Sequence, residues 1–327
     1  MNLQPGTTRR IWLALAAAIF AGGMSLAAQA QPSVVKFILP NAVGSGVDAI
    51  SRAAQPALAK ALNASVVIEN QPGAGGVVGL QALARSAPDG GTLSVVSNNV
   101  VIFPSVLKSL PFNMPGDFTP IAVVGTTPMV LVVNPGRLPV SGAREFFAHL
   151  KGRPGAVNYG SGGNGTILHL ATELVLEAAG VSAKHIPYKG VGPMVTDLLG
   201  GQIDFATAAL PSVQGQIKGG SLRAIGMLSP QRSPAAPDIP TFAEQGLANF
   251  SVEAWFAVIG PKNLPPAIVK RAHEAVVAAF RDPAVMESMA KFGNTINVST
   301  PEKAQAAFQA ELAKYAALVK KVGLEAQ

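Results

Sequence analysis

The chain has 327 residues, contains no cysteine, and carries a formal charge of +7, with 25 Lys and Arg against 18 Asp and Glu. The absence of cysteine excludes a disulfide framework, a thiolate nucleophile and a lipid anchor on cysteine. Because the positive charge is modest and aromatic residues make up 6% of the chain, the composition argues against a nucleic-acid-binding surface and favours small anionic ligands.

Residues 1–30 form a predicted signal peptide that is cleaved. Arg9 and Arg10 precede an apolar segment, 11–28, and Ala28-Gln29-Ala30 matches an A-x-A cleavage site. Two glycines interrupt the apolar segment and small residues end it, which favours removal over a permanent membrane span. We therefore predict an exported, soluble mature chain.

Strand-like and helical segments then alternate, which predicts parallel sheets built from βαβ units. The first three predicted strands are 34–40, 65–70 and 92–98. A helix around 49–62 follows the first strand, and a helix that runs through Ala84 follows the second. This first series is assigned to lobe 1, residues 31–130.

Residues 120–134 are long and apolar with Thr-Thr-Pro in the middle, which predicts one strand that leaves the first lobe and enters a second. A second βαβ series places lobe 2 at 131–252, and segment 253–261 is the predicted return crossing. The chain then completes lobe 1 over 253–327. The predicted strands of lobe 2 are 156–160, 184–189, 204–210 and 222–228.

The C-terminal part is predicted to be mainly helical. Ser299-Thr300-Pro301-Glu302 has the pattern of a capped helix start with proline in the first turn. The apolar residues that follow recur at helical spacing, which indicates core packing. These residues are Phe308, Leu312, Tyr315, Val319 and Val322.

Each lobe contains the same local pattern of strand, glycine-rich turn and helix start. The two turns are NAVGSGVD at 41–48 and SGGNGT at 161–166. Glycine lets backbone N–H groups approach a ligand closely, and a helix start adds unpaired donors and the positive end of the helix dipole. Each turn therefore predicts an anion site, and two such turns facing each other across a hinge would hold one anion from both sides.

A dinucleotide site is the first alternative, because Gly160, Gly162 and Gly165 spell G-x-G-x-x-G. That site needs an acidic residue near the end of the next strand to bind a ribose hydroxyl. Tyr188 and Lys189 occupy that position instead. We therefore predict no nucleotide cofactor.

A serine hydrolase is the second alternative. Ser161 lies one residue short of the G-x-S-x-G pattern. The histidines at 149, 169, 185 and 273 are scattered and lack a metal-ligand spacing. His169 follows the second turn and either reaches the cleft or supports the turn. The sequence thus predicts no catalytic residue and no metal site.

Short polar side chains at the two helix starts, Ser45, Ser161, Asn164 and Thr166, can cap the helices, donate to a carboxylate, or do both. Asp48 would repel an anion, so a cap or a brace for the loop suits it better.

Two further positions are candidate ligand contacts. Lys189 is either an ion-pair partner of the ligand or an exposed lysine at a strand end. Ser97, Asn98 and Asn99 end the third strand, where open α/β sheets present ligand contacts.

Seven segments, in order over nearly the whole mature chain, resemble motifs of the Bug family, the solute receptors of tripartite tricarboxylate transporters. They are PNAVGSGVD, IENQPGAGGVVG, APDGGTL, DFTPIAVVG, NYGSGGNGTILHLATELV, HIPYKGVGPMVTDLLGGQID and RSPAAPDIPTFAEQGL. The resemblance implies an α/β, two-lobed periplasmic binding protein of type II (a Venus flytrap), each lobe a mostly parallel sheet flanked by helices. It also implies a small organic carboxylate held by loop amides and bridging waters, membrane permease subunits as partners, and no cofactor. We expect a monomer that binds no nucleic acid.

Carried over by position, the resemblance implies a ligand-binding turn at 42–48 in the first lobe and another at 161–166 in the second. It also implies flanking ligand contacts at His169 and 188–190. Together with the residues discussed above, this gives one set of predicted ligand-binding residues. They are Asn41, Ala42, Gly44, Ser45, Gly46, Asp48, Ser97, Asn98, Ser161, Gly163, Asn164, Gly165, Thr166, His169, Tyr188 and Lys189.

The first loop departs from the family pattern of proline, aromatic, small residue, proline, Gly-Gly. Asn41 follows Pro40, Val43 replaces the second proline, and Ser45 stands for the second glycine. Loss of an aromatic stacking face and gain of an amide lead to the hypothesis of a more polar ligand. Two other functions stay open: a sensory receptor that passes occupancy to a membrane sensor kinase, and an enzyme acting on a small anion.

Overall fold

The computed structural model describes residues 34–324 and residue 326. The predicted signal peptide, 1–30, lies outside the described residues. None of the helices within the described part of the chain is both long enough and apolar enough to cross a membrane.

The described residues form two β-sheets with helices packed on them. The strands are β1 (Val34–Leu39), β2 (Ser65–Asn70), β3 (Thr92–Ser97), β4 (Phe118–Thr127), β5 (Met129–Val133), β6 (Asn158–Ser161), β7 (Lys184–Pro187), β8 (Phe205–Ala209), β9 (Arg223–Met227), β10 (Ala254–Pro261) and β11 (Thr295–Ile296). The helices are α1 (Gly46–Leu62), α2 (Val77–Ala84), α3 (Asn99–Val106), α4 (Ala143–Gly152), α5 (Ile167–Ala179), α6 (Val191–Leu199), α7 (Leu210–Lys218), α8 (Pro266–Phe280), α9 (Pro283–Phe292) and α10 (Pro301–Lys321).

The sheets define two lobes, which confirms the predicted two-lobed α/β architecture. The strand order is β11-β4-β10-β3-β1-β2 in the first sheet and β7-β6-β8-β5-β9 in the second. Both sheets are mixed, and most strands of each sheet run in one direction. β1 runs parallel to β2 and β3, and β6 runs parallel to β7 and β8. The connecting strands β4, β5 and β10 run antiparallel to their neighbours, because they carry the chain between the sheets.

The crossing at 120–134, predicted as one strand, is two strands in different sheets. β4 ends at Thr127, β5 begins at Met129, and Pro128 separates them. Proline lacks the N–H that a ladder requires, so it ends the pairing in the first sheet. The return passes between Met227 and Ala254. The exact lobe boundaries at 130 and 252 remain predictions.

The central strand of the first sheet and the C-terminal helix carry much of the core. All eight residues of β10 are buried between β3 and β4, which explains the continuous apolar run. Thr300 caps α10 as predicted, and Phe308 and Tyr315 on its apolar face are buried. The Trp255 ring is buried and lies 5.2 Å from the Phe308 ring, so Trp255 is a core residue.

Candidate ligand-binding site between the two lobes

The first turn ends β1 and starts α1 through a serine cap. The Oγ of Ser45 accepts a hydrogen bond from the N–H of Asp48 at 3.2 Å. The first backbone bond of the helix runs from Ala49 N to Ser45 O at 3.0 Å. The N–H groups of Gly46 and Val47 therefore precede the intrahelical ladder and have no acceptor within it.

Asp48 holds this turn in place. Its Oδ2 accepts from the N–H of Gly44 at 3.0 Å, and its Oδ1 accepts from Arg52 Nε at 2.9 Å and Asn70 Nδ2 at 3.0 Å. Asn70 Nδ2 also donates to the backbone O of Asn41 at 3.1 Å. Asp48 is buried, and both of its oxygens are engaged by the loop and the helix. It therefore acts as the brace that the sequence suggested.

The second turn ends β6 and starts α5 through a threonine cap. Thr166 Oγ1 accepts from the N–H of His169 at 3.4 Å and donates to the O of Gly163 at 2.8 Å. Gly163 has a φ of 131°, and a Cβ there would lie 3.3 Å from the O of Tyr188 and 3.4 Å from the Cα of Gly75. Glycine suits this position because the backbone is left-handed and a first-lobe turn packs close to it.

Asn99 joins the lobes at the start of α5. Its Oδ1 accepts a hydrogen bond from the N–H of Ile167 at 2.8 Å, and its Nδ2 donates to the O of Gly75 at 3.4 Å. The first backbone bond of α5 runs from Leu170 N to Thr166 O. The N–H of Leu168 therefore also lacks an acceptor in the helical ladder.

A cavity lies between these elements. The volume of this cavity is about 70 Å³, which is several times the roughly 10–15 Å³ that one water molecule needs. Ser45 and Gly46 of the first turn and Gly162 and Thr166 of the second line the same cavity. The two glycine-rich turns that the sequence paired are thus brought together.

The charge around this cavity suits an anion. Among the described residues that line it, Lys189 is a cation and none is Asp or Glu. Apolar side chains, including Val47, Met129 and Val191, form much of the wall. In such surroundings a charged ligand group loses water, and fixed backbone donors can replace it.

Comparison with known proteins decides the family. The family model described as "Tripartite tricarboxylate transporter family receptor" matches residues 50–324. The chain belongs to this receptor family.

Known proteins match this receptor in sequence or structure over nearly its whole length. BugT from Bordetella pertussis is 36% identical over 291 residues, which cover 88% of this chain and 89% of BugT. The structure of the periplasmic binding protein BugD matches with a TM-score of 0.86 at 31% identity, over 90% of this chain and 99% of that chain. MatC from Rhodopseudomonas palustris, solved with bound malate, matches with a TM-score of 0.80 at 27% identity, over 88% of this chain and 98% of that chain. The resemblance to the Bug family and the type II fold are confirmed.

The structure divides the predicted ligand-binding residues of this receptor into two groups. The first group lines the cavity: Asn41, Ala42, Ser45, Gly46, Ser97, Thr166 and Lys189. The second group does not line the cavity: Gly44, Asp48, Asn98, Ser161, Gly163, Asn164, Gly165, His169 and Tyr188.

Several side chains of the second group are engaged by hydrogen bonds to other protein groups. Asn98 donates from Nδ2 to the hydroxyl of Tyr315 at 2.6 Å and accepts at Oδ1 from Trp255 N at 2.7 Å. The hydroxyl of Tyr188 donates to Asp197 Oδ2 at 2.8 Å. These side chains position the loops of the receptor, and direct ligand contact by them remains an untested prediction.

Two histidines that look scattered in the sequence are neighbours in the fold. The rings of His169 and His185 stack with centroids 3.8 Å apart. His169 Nδ1 accepts from the N–H of Gly165 at 3.1 Å, and His185 Nε2 lies 2.7 Å from the hydroxyl of Ser161. Ser161 is fully buried, and its hydroxyl donates to the O of Gly163 at 3.0 Å. The pair therefore supports the second turn from behind.

Burial keeps both imidazoles neutral. It lowers the pKa of His169 to about 3, with the neighbouring His185 as a smaller cause. Burial likewise lowers the pKa of His185 to about 4. Neutral rings suit this place, because a protonated Nδ1 of His169 could not accept the Gly165 N–H.

The sequence reasoning missed several cavity residues. Thr127 lines the wall, as does the glycine-rich turn around 73–76; Asn99, which the sequence places with Ser97 and Asn98 at the end of the third strand, lines it too. The turn was visible as QPGAGGVVG, and Thr127 as the Thr-Thr-Pro in the crossing strand. No sequence signal distinguishes Asn99 from Asn98, since which amide faces the cavity depends on where β3 ends and α3 begins.

Proposed function

We propose that this chain is a periplasmic receptor that captures a small organic carboxylate between its lobes and delivers it to a tripartite tricarboxylate-type permease. One observation carries the proposal: the first residues of α1 and α5, from opposite lobes, line one small cavity. Family membership supports the receptor role, and the malate in the structure of MatC supports a carboxylate as the ligand class.

Backbone amides supply the recognition in this proposal. The N–H groups of Gly46, Val47 and Leu168 precede their helical ladders and lie at cavity-lining residues. Charge at a helix N-terminus gains about 0.3–1 kcal/mol when exposed, and up to about 2 kcal/mol when partly buried. Two helix starts and Lys189 acting on one carboxylate give a gain that an uncharged ligand does not receive.

Ligand entry requires the lobes to separate in this proposal. The lobes touch across the cavity: a Cβ on Gly46 would lie 2.9 Å from the Cβ of Ala209, and one on Gly190 would lie 2.5 Å from the Cβ of Ala42. The moving bodies are lobe 1 (31–130 with 253–327) and lobe 2 (131–252), joined at Pro128 and at the return crossing. Closure removes water from the carboxylate and strengthens its hydrogen bonds.

The decisive experiment compares acids with their uncharged amides on the mature chain, which starts at residue 31. Succinate, malate and butyrate are titrated beside their carboxamides by calorimetry and thermal unfolding. We expect the acids to raise the melting temperature, because a ligand at 100 times its Kd stabilises the folded state by about 2.7 kcal/mol. Equal stabilisation by the amides, or none by any acid, contradicts the proposal.

Delivery to a permease needs a separate experiment. Uptake of the bound acid is measured in cells that hold the permease with and without this receptor. Uptake that depends on the receptor supports delivery. Ligand binding without such dependence supports the sensory alternative, and consumption of the acid by the receptor alone supports an enzyme.

A further inference from the structure

The cavity contains two buried polar atoms that no protein group satisfies. Asn41 Oδ1 and Thr127 Oγ1 both lack a hydrogen-bond partner among the described residues. Both residues line the cavity, Asn41 from the loop after β1 and Thr127 from the end of β4. Thr127 is 7% exposed. A buried polar atom without a partner destabilises the protein, so a pair of them in one binding cavity points to a ligand that pairs with them.

The two atoms differ in what they can accept and donate. A threonine hydroxyl can donate to a carboxylate oxygen, but an amide oxygen can only accept. An ionised carboxylate has no hydrogen to give, so it cannot satisfy Asn41 Oδ1. The ligand therefore needs a donor group in addition to its carboxylate.

The charge of the wall selects the kind of donor. An ammonium group that is buried without a counter-charge is strongly unfavourable. Among the described residues of the wall there is no Asp or Glu, and Lys189 is a cation. Asp48, which is buried and does not line the cavity, already pairs with Arg52 at 2.9 Å. These observations favour an uncharged donor, the hydroxyl group.

We propose that the ligand is a short hydroxycarboxylate, whose hydroxyl group pairs with Asn41 Oδ1 and Thr127 Oγ1 while its carboxylate binds at the two helix starts. This inference rests on the proposed function and narrows its ligand class. The cavity is small, which limits the length of the acid.

The test uses pairs of acids that differ by one group. Calorimetry gives the Kd of malate against succinate and of 3-hydroxybutyrate against butyrate, each with both enantiomers of the hydroxy acid. Aspartate and 3-aminobutyrate are the amino counterparts. We expect the preferred enantiomer of each hydroxy acid to bind about tenfold or more tighter than its deoxy partner.

Two variants assign this preference to the named atoms. Asn41→Leu and Thr127→Val should each lower the hydroxy-to-deoxy affinity ratio by about tenfold. Thr127→Val should also keep or raise the melting temperature of the free protein, because it removes an unsatisfied hydroxyl without changing the shape of the side chain. Asn297→Leu and Thr295→Val, at exposed positions outside the cavity, are the matched controls.

The outcomes separate this inference from the proposed function. Equal affinity for hydroxy and deoxy acids overturns the hydroxyl assignment but leaves carboxylate binding intact. If aspartate and 3-aminobutyrate bind more tightly than the corresponding hydroxy acids, the inference that the ligand's donor group is uncharged is overturned. A wild-type preference that survives in both variants overturns the roles of Asn41 and Thr127. Failure of every acid to bind overturns the proposed function as well.

Discussion

The Oδ1 of Asn99 accepts a hydrogen bond from the backbone N–H of Ile167 at 2.8 Å, and this bond joins the start of α3 in the first lobe to the start of α5 in the second. The Asn99 carbonyl thus occupies one of the helix-start donors that would otherwise face the cavity. Asn99 also lines the cavity, so under the proposed function this side chain would couple closure of the lobes to ligand binding.

Charge at position 99 should separate these two roles. Asn99→Asp keeps an acceptor for Ile167 N and places a negative charge at a helix N-terminus, so we expect unchanged or slightly higher stability, by about 0.3–1 kcal/mol. The same charge repels the ligand carboxylate, so affinity should fall by about tenfold or more. Urea unfolding and calorimetry measure the two effects.

Asn99→Ala is the comparison variant, since it removes the acceptor without adding charge. It should lower stability by about 1 kcal/mol and weaken ligand binding less than Asn99→Asp does. If Asn99→Asp binds the acid as well as the wild type does, Asn99 does not lie beside the carboxylate.

Contact between Gly46 and Ala209 should control closure. Gly46→Ala places a Cβ 2.9 Å from the Cβ of Ala209 in the other lobe, so we expect weaker ligand binding and a smaller ligand-induced compaction in small-angle X-ray scattering. Alanine favours the helix itself by up to about 1 kcal/mol, so the unliganded protein should not be destabilised. The double variant Gly46→Ala with Ala209→Gly relieves the contact and should recover affinity. A double variant that binds no better than Gly46→Ala alone would rule out a steric block between the lobes.

The stacked histidines predict a loss of stability in acid. Burial lowers the pKa of His169 to about 3 and that of His185 to about 4 in the folded protein, against an ordinary value of 6.5. Between these values the unfolded chain binds more protons than the folded one, so the free energy of unfolding falls as the pH falls. The full stability is present above about pH 6.5, and by about pH 4.5 the titration of His169 alone removes about 2–3 kcal/mol of it.

Urea unfolding between about pH 7 and pH 4.5 measures this loss. The double variant His169→Gln with His185→Gln should show a shallower dependence on pH. His149→Gln with His273→Gln is the control and should keep the wild-type dependence. Identical pH profiles for all three proteins would show that the stacked pair is not the source.

Asp48 should support ligand binding without touching the ligand. Asp48→Ala removes the acceptor for Gly44 N, Arg52 Nε and Asn70 Nδ2, so we expect a loss of about 2–4 kcal/mol of stability and weaker binding. Asp89→Ala is the matched control, because Asp89 also braces a turn, through Gly91 N at 2.8 Å, away from the cavity. The control should leave the Kd unchanged. An unchanged Kd in Asp48→Ala as well would mean that the brace does not shape the site.

The sequence predicted most elements of the fold because local signals were strong. SVVIEN is a strand over its predicted length, Ser45 and Thr166 cap their helices, and the two glycine-rich turns line one cavity. Each of these features depends on short-range chemistry: a cap, a turn or an apolar period. Pro128 also ended a strand as proline should, although the apolar run around it suggested one continuous strand.

The features of the fold and the site that the sequence did not predict depend on contacts between segments that are distant in the chain. The direction of β10 depends on the side from which the chain returns, which no local pattern records. His169 and His185 stack because β7 pairs with β6 beside the start of α5, although they are 16 positions apart in the sequence. Asn99 rather than Asn98 faces the cavity, and this choice depends on one residue at the end of β3.

The central claim is that helix-start amides from both lobes bind one carboxylate. The most direct measurement is an ¹⁵N–¹H NMR titration of the mature chain with malate and, in parallel, with its uncharged diamide. The account predicts that the amide signals of Gly46, Val47 and Leu168 shift together along one binding curve with malate and stay in place with the diamide. Shifts confined to one lobe, or equal shifts with both compounds, would contradict it.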